Sequence, residues 1–177
     1  PFLSGLLVYA AADPRRTAGA APLGKWLAVF CGGAEFVLFS VLFAGQWTVG
    51  GDTAVSVSFD GICGLGMNFA LDGFRSVYCL VAGFMWMMSA FLSGEYFEHH
   101  EHTARFYLFF FWTEGATLAV FLSADLFTTF LFFEMMSLTS YVWVAQEETK
   151  DALKAAGTYL AVAVIGGLVM LMGIFLL

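Results

Sequence analysis

The chain has 177 residues, of which 60% are hydrophobic, 18% aromatic and 12% charged. A water-soluble domain of this length carries about twice that charged share, and the mean hydropathy is +0.83. The composition is that of an all-α polytopic membrane protein with the lipid bilayer as its solvent. The net charge of −7 argues against nucleic acid as a partner, which would call for a basic footprint.

A bilayer core of ~30 Å is crossed by about 20 helical residues. Six apolar segments answer to that length or to part of it. Pro1–Ala12 is too short to span and reads as the tail of a truncated first helix. Leu23–Ala44, Leu71–Leu92, Phe106–Leu122, Leu126–Gln146 and Ala152–Leu177 are the next five. PFLSGLLVYAAA lacks the basic start of a signal peptide. No initiating methionine or polar tail is present, so a fragment of a longer polytopic chain is expected, as a single membrane domain over 1–177.

The basic residues divide by side. Arg15, Arg16 and Lys25 fall at the first loop, Arg105 at the next alternate loop, and Lys150 and Lys154 at the third. By the positive-inside rule these loops are cytoplasmic and the N-terminus is external. Arg75 alone falls opposite. The longest external connection is 46–70. Its TAVSVSF alternates with period two and meets Asp60-Gly61, a short-range hairpin signal. A small hairpin over the outer face and an irregular Gly-rich loop both fit.

Between the fourth and fifth segments only SAD intervenes. Asp125 is placed to cap the fifth helix and to favour its dipole, which sets these two helices antiparallel and side by side. Asp72, before Gly73, is placed to open the third helix in the same way. The Gly-Gly pairs at 32–33 and 166–167 suit close helix approach rather than ligand binding.

The run Phe127–Ala145 holds the strongest chemical signal. FTTFLFFEMMSLTSYVWVA is apolar enough to cross a bilayer, yet Glu134 sits near its middle, ~12 Å deep at ~1.5 Å per residue. A charged carboxylate there costs ~2.5–3.5 kcal/mol on insertion scales. Ser137, Leu138 and Tyr141, at helical spacing, share its face. One reading is a carboxyl bonded to Ser or Tyr between helices. The other is a group that takes up and releases protons, because desolvation penalises its charged form and a nearby lysine restores it.

Lys154, ~5 Å inside the sixth helix, is the nearest partner of that kind. Snorkelling to the headgroups would also account for it. Glu114, ~12 Å from the cytoplasmic edge, and Glu35, ~18 Å from it, are intramembrane carboxyls suited to lateral proton steps or to interhelical hydrogen bonds. GEYFEHHEHTAR sets His99, His100 and His102 among Glu95, Glu98 and Glu101, but the spacing fits no zinc signature. No metal is expected, and a solvated loop is the default. Cys31, Cys63 and Cys79 are isolated, and Cys31 and Cys79 suit apolar packing.

With these pieces placed, the chain resembles the antiporter-like membrane subunits of respiratory complex I, membrane-bound hydrogenases and Mrp-type antiporters. The most specific match is AVFLSADLFTTFLFFEMMSLTSYVWVAQ, residues Ala119–Gln146, with FFEMMSLTSY as the glutamate-bearing motif. ALDGFRSV at 70–77 and DALKAAGTYL at 151–160 match the starts of that family's third and sixth helices. The resemblance spans the chain and is strongest over 69–177. It implies a fragment of a larger, fourteen-helix-type subunit in a bacterial plasma membrane. Such a subunit moves protons, or Na⁺ in some cases, beside other membrane subunits that supply redox energy. It implies no cofactor and no redox active site in this chain.

Residue by residue, Glu134 matches the fifth-helix glutamate, thought to modulate a lysine on a broken seventh helix. Lys154 matches a basic position early in the sixth. Glu114 departs from the pattern, which calls for a small or apolar residue there. Two other readings stand beside this one. The first is a subunit of a multi-subunit Na⁺/H⁺ antiporter. The second is a structural scaffold whose acids only specify helix packing.

Overall fold

The computed structural model describes residues 1–12, 20–48, 55–59, 66–96 and 103–176. Among them are six helices and one hairpin. They run α1 (Phe2–Ala12), α2 (Ala20–Thr48), β1 (Val55–Phe59), β2 (Met67–Leu71), α3 (Gly73–Tyr96), α4 (Thr103–Leu122), α5 (Leu126–Val144) and α6 (Lys150–Leu176). By length and composition, four segments can cross a membrane: Gly24–Thr48, α3, α5 and α6. Helix α1 has 11 residues. Helix α4, with 20 residues, carries both Arg105 and Glu114 and is not among those four.

That difference follows from position, because α4 is the axis of the bundle. It packs against α1, α3 and α5, while α2 joins α1 to α3, and α6 lies along α5. Ten of its residues are buried, from Ala104 to Leu118. A buried helix need not present an apolar surface all round, so polar groups survive there when they meet other protein. Phe106, Tyr107, Phe110 and Phe111 of α4 close one core with Val8, Ala28 and Ala90. Leu118 closes a second with Phe39 and Cys79.

Small residues allow the close approach. A methyl on Gly5 of α1 would lie 3.0–3.2 Å from Trp112, the Leu108 carbonyl and Phe111. Lipid supplies no hydrophobic drive between helices, so such packing is what holds them. The outward faces of α2, α3 and α6 expose Phe30, Val41, Val81, Met85, Ile165 and Val169. Apolar surface on that scale fits a bilayer or neighbouring membrane helices rather than water.

At one end, β1 and β2 pair antiparallel with Val55 opposite Leu71 and Phe59 opposite Met67. The expected Asp60-Gly61 turn lies outside the described residues. The hairpin is tied down by β2. The carbonyl of Asn68 accepts from Ala124 N at 2.8 Å, its N–H donates to Thr128 Oγ1 at 3.1 Å, and Phe69 meets Phe132 with ring centroids 5.6 Å apart.

At the other end, Arg105 at the start of α4 pairs with Glu148 in the α5–α6 turn at 2.6 Å. The Lys25 stem lies across Gly94, where a methyl would come 2.7 Å from its Cγ.

Candidate functional site

Helix α5 is positioned from its first residue. Asp125 is extended (φ −134°, ψ 161°) and caps it. Its carboxylate accepts from Thr128 N at 2.6 Å and Thr128 Oγ1 at 2.8 Å. Partial burial pushes Asp125 up, but the Thr128 and Asn68 hydrogen bonds prevail and hold its carboxyl below the usual range. Charge at a helix N-terminus also favours the dipole.

Nine residues further along, Glu134 points from α5 to α6. Its carboxyl lies over Gly167: a methyl there would coincide with Glu134 Oε1 and come 2.5 Å from Cδ and 3.2 Å from Oε2. The absent side chain of Gly167 is what makes room for the acid. Oε1 is buried with no hydrogen-bond partner among the described residues.

The expected polar stripe is only partly present. Ser137 is buried, but Leu138 is 54% exposed. Thr128, Ser137, Thr139 and Ser140 are the buried polar positions of α5, and two of them tie to different neighbours. Thr139 Oγ1 lies 3.0 Å from Thr113 Oγ1 of α4, which also accepts from Trp143 Nε1 at 3.3 Å. Ser140 Oγ meets Tyr159 OH of α6 at 2.7 Å. The hydroxyls also reach carbonyls of their own helix, as Ser137 does to Phe133 at 3.0 Å, so each is satisfied without water.

The three acid/base residues singled out by sequence are not one cluster. Lys154 is exposed on the first turns of α6, and among the described residues no ion pair joins it to Glu134. Glu114 is fully buried in α4 beside Glu35 of α2. The histidines at 99–102 lie outside the described residues. Two features escaped the sequence reading: the seat provided by Gly167, and the pairing of Glu35 with Glu114. The Gly166-Gly167 pair was visible, but its partner depends on how α5 and α6 are registered.

Residues 123–177 match the family described as NADH:quinone oxidoreductase/Mrp antiporter, TM. That segment contains Glu134, Lys154 and Gly167. Over 193 aligned residues the chain is 26% identical to NADH-quinone oxidoreductase subunit M of Pseudomonas aeruginosa, covering 98% of this chain and 36% of that one. Along these stretches the chain is similar to antiporter-like membrane subunits.

Two further relatives carry different names. A Na(+)/H(+) antiporter subunit of Alkalihalophilus pseudofirmus is 25% identical, over 62% of this chain and 22% of that one. NADH-quinone oxidoreductase subunit M of Escherichia coli is 28% identical, over 64% and 23%. The fold is that of part of a larger membrane subunit. It superposes, with TM-score 0.77 and 19% identity, on 34% of a chain from the membrane-bound sulfane sulfur reductase, an archaeal respiratory membrane complex, covering 98% of this chain. The chain thus spans about a third of the length of subunit M from Pseudomonas aeruginosa.

Proposed function

We propose that this chain is part of a proton-translocating subunit of a complex I-like NADH:quinone oxidoreductase or a related redox-driven complex. It sits in a bacterial plasma membrane beside other membrane subunits. Glu134 is the carboxyl that gains and loses the proton, and the observation that carries this is its placement over Gly167 between α5 and α6. An acid fitted into a helix–helix contact changes the packing energy of that contact each time it changes charge. Lys154 and Glu114 are relay residues in this reading, Lys154 near the surface of α6 and Glu114 within α4.

A second reading, a subunit of a multi-subunit Na⁺/H⁺ antiporter, is favoured by the likeness to the Na(+)/H(+) antiporter subunit of Alkalihalophilus pseudofirmus. The two separate in vesicles that hold the full-length protein with its partner subunits. The redox reading expects donor-driven proton uptake that falls to background in Glu134→Gln. Undiminished uptake in that variant removes Glu134 from the mechanism. Cation-dependent proton flux with no electron donor present establishes the antiporter reading instead.

A further inference from the structure

Across α4 from that seat lies a second pair of acids that the α5–α6 contact does not involve. Glu114 is 0% exposed, and neither of its carboxyl oxygens has a hydrogen-bond partner among the described residues. Glu35 is 8% exposed. Its Oε1 accepts from Ser4 Oγ of α1 at 2.5 Å, while Oε2 is buried and unpartnered. The two carboxyls act on each other directly. The other groups facing them are the Pro1 nitrogen, 3.0 Å from Glu35 Oε1, and the Cys31 thiol of α2. Among the described residues no Lys or Arg side chain forms an ion pair with either acid.

We infer that Glu35 and Glu114, walled in by α1, α2 and α4, form a second proton-binding site that holds one exchangeable proton between two carboxyls. Two adjacent carboxylates in a low-dielectric interior repel each other and are both desolvated, so the doubly charged pair is the costly state. Uptake of one proton from water forms an O–H bond on Glu114 and lowers the pair from two negative charges to one. That O–H then has an acceptor in the Glu35 carboxylate, giving a charge-assisted hydrogen bond, while Ser4 donates to the same carboxylate from the other side. Release to water reverses each change. An unpartnered acid in the middle of the bundle axis is thereby accounted for.

The site goes beyond the Glu134 reading and stands without it, so the test uses full-length protein carrying Glu134→Gln, in lipid vesicles, followed by infrared spectroscopy. At neutral pH the background variant is expected to show a carboxylic C=O band that shifts when H₂O is replaced by D₂O. Adding Glu114→Gln should abolish the band, and adding Glu35→Gln should displace it by changing its hydrogen-bond acceptor. Should the Glu114→Gln protein fail to insert, the Glu35→Gln displacement and the D₂O shift still decide the matter. Absence of the band at neutral pH overturns the inference. So does a band untouched by these substitutions, or one that never exchanges. Proton translocation that survives Glu134→Gln would sink the proposed function and leave this readout intact.

Discussion

A glycine decides where the central acid can sit. Any side chain at position 167 would occupy the space of the Glu134 carboxyl, so Gly167→Ala tests the seat while leaving the acid in the chain. The expected outcome is a drop in donor-driven proton uptake toward the Glu134→Gln level. Gly166→Ala, with nothing within 4 Å of the added methyl, should retain wild-type uptake. Equal rates in the two variants would show that the carboxyl does not need this position. Sequence made Glu134 conspicuous because one charge in an apolar run of that length is expensive. It could not give the seat, since helical periodicity lists which residues share a face but not which neighbour that face meets. The same gap explains Leu138. Spacing put it with Glu134, but the polar positions of α5 divide between Thr113 on α4 and Tyr159 on α6, leaving Leu138 outward.

Helix α5 depends on its first turn. The three-residue connection to α4 leaves little slack, and Asp125 satisfies the N–H of Thr128 that would otherwise be orphaned. Asp125→Ala should cost about 0.5–2 kcal/mol, read as a lowered unfolding temperature of the full-length protein in detergent. The pH dependence has a definite sign. The folded carboxyl is held below its ordinary range, so its contribution is complete above the unfolded value of ~3.9 and fades as pH falls through the folded value. The gap in unfolding temperature between wild type and Asp125→Ala should therefore be constant near neutrality and close on acidification. A gap that widens in acid would contradict the assignment. This cap was legible because S-A-D between two apolar runs is a local signal. The hairpin was legible in part, through the alternation of TAVSVSF. The anchorage of β2 on the α4–α5 turn and α5 through Asn68 was not, because its partners lie more than fifty residues away.

The two ends of the bundle differ in chemistry. At one, Lys25 crosses Gly94 and Arg105 meets Glu148, so the starts of α2 and α4 lie with the ends of α3 and α5. At the other, Gln46 Nε2 donates to the Leu71 carbonyl at 3.3 Å, Arg75 pairs with Asp72 at 2.9 Å, and the hairpin meets the α4–α5 turn. The Arg105–Glu148 pair is half-exposed, and pairs of that kind contribute about 0–1 kcal/mol, so its value is as a marker of position rather than as a brace. Counting loops in the sequence had already put six of the seven basic residues on one side, and the contacts give that count a geometric basis for Lys25 and Arg105. By the positive-inside rule the Arg105–Glu148 end is expected on the cytoplasmic side. In full-length protein with every cysteine replaced by serine, Cys31, Cys63 and Cys79 among them, Thr149→Cys and Ser56→Cys place single thiols at exposed positions on opposite ends. A membrane-impermeant maleimide should label Ser56→Cys in right-side-out vesicles and Thr149→Cys only in inverted ones. Labelling of both from one side would break the alternation of helices on which the depths of Glu134 and Glu114 rest. Labelling with the sides exchanged would keep the bundle and invert it in the membrane.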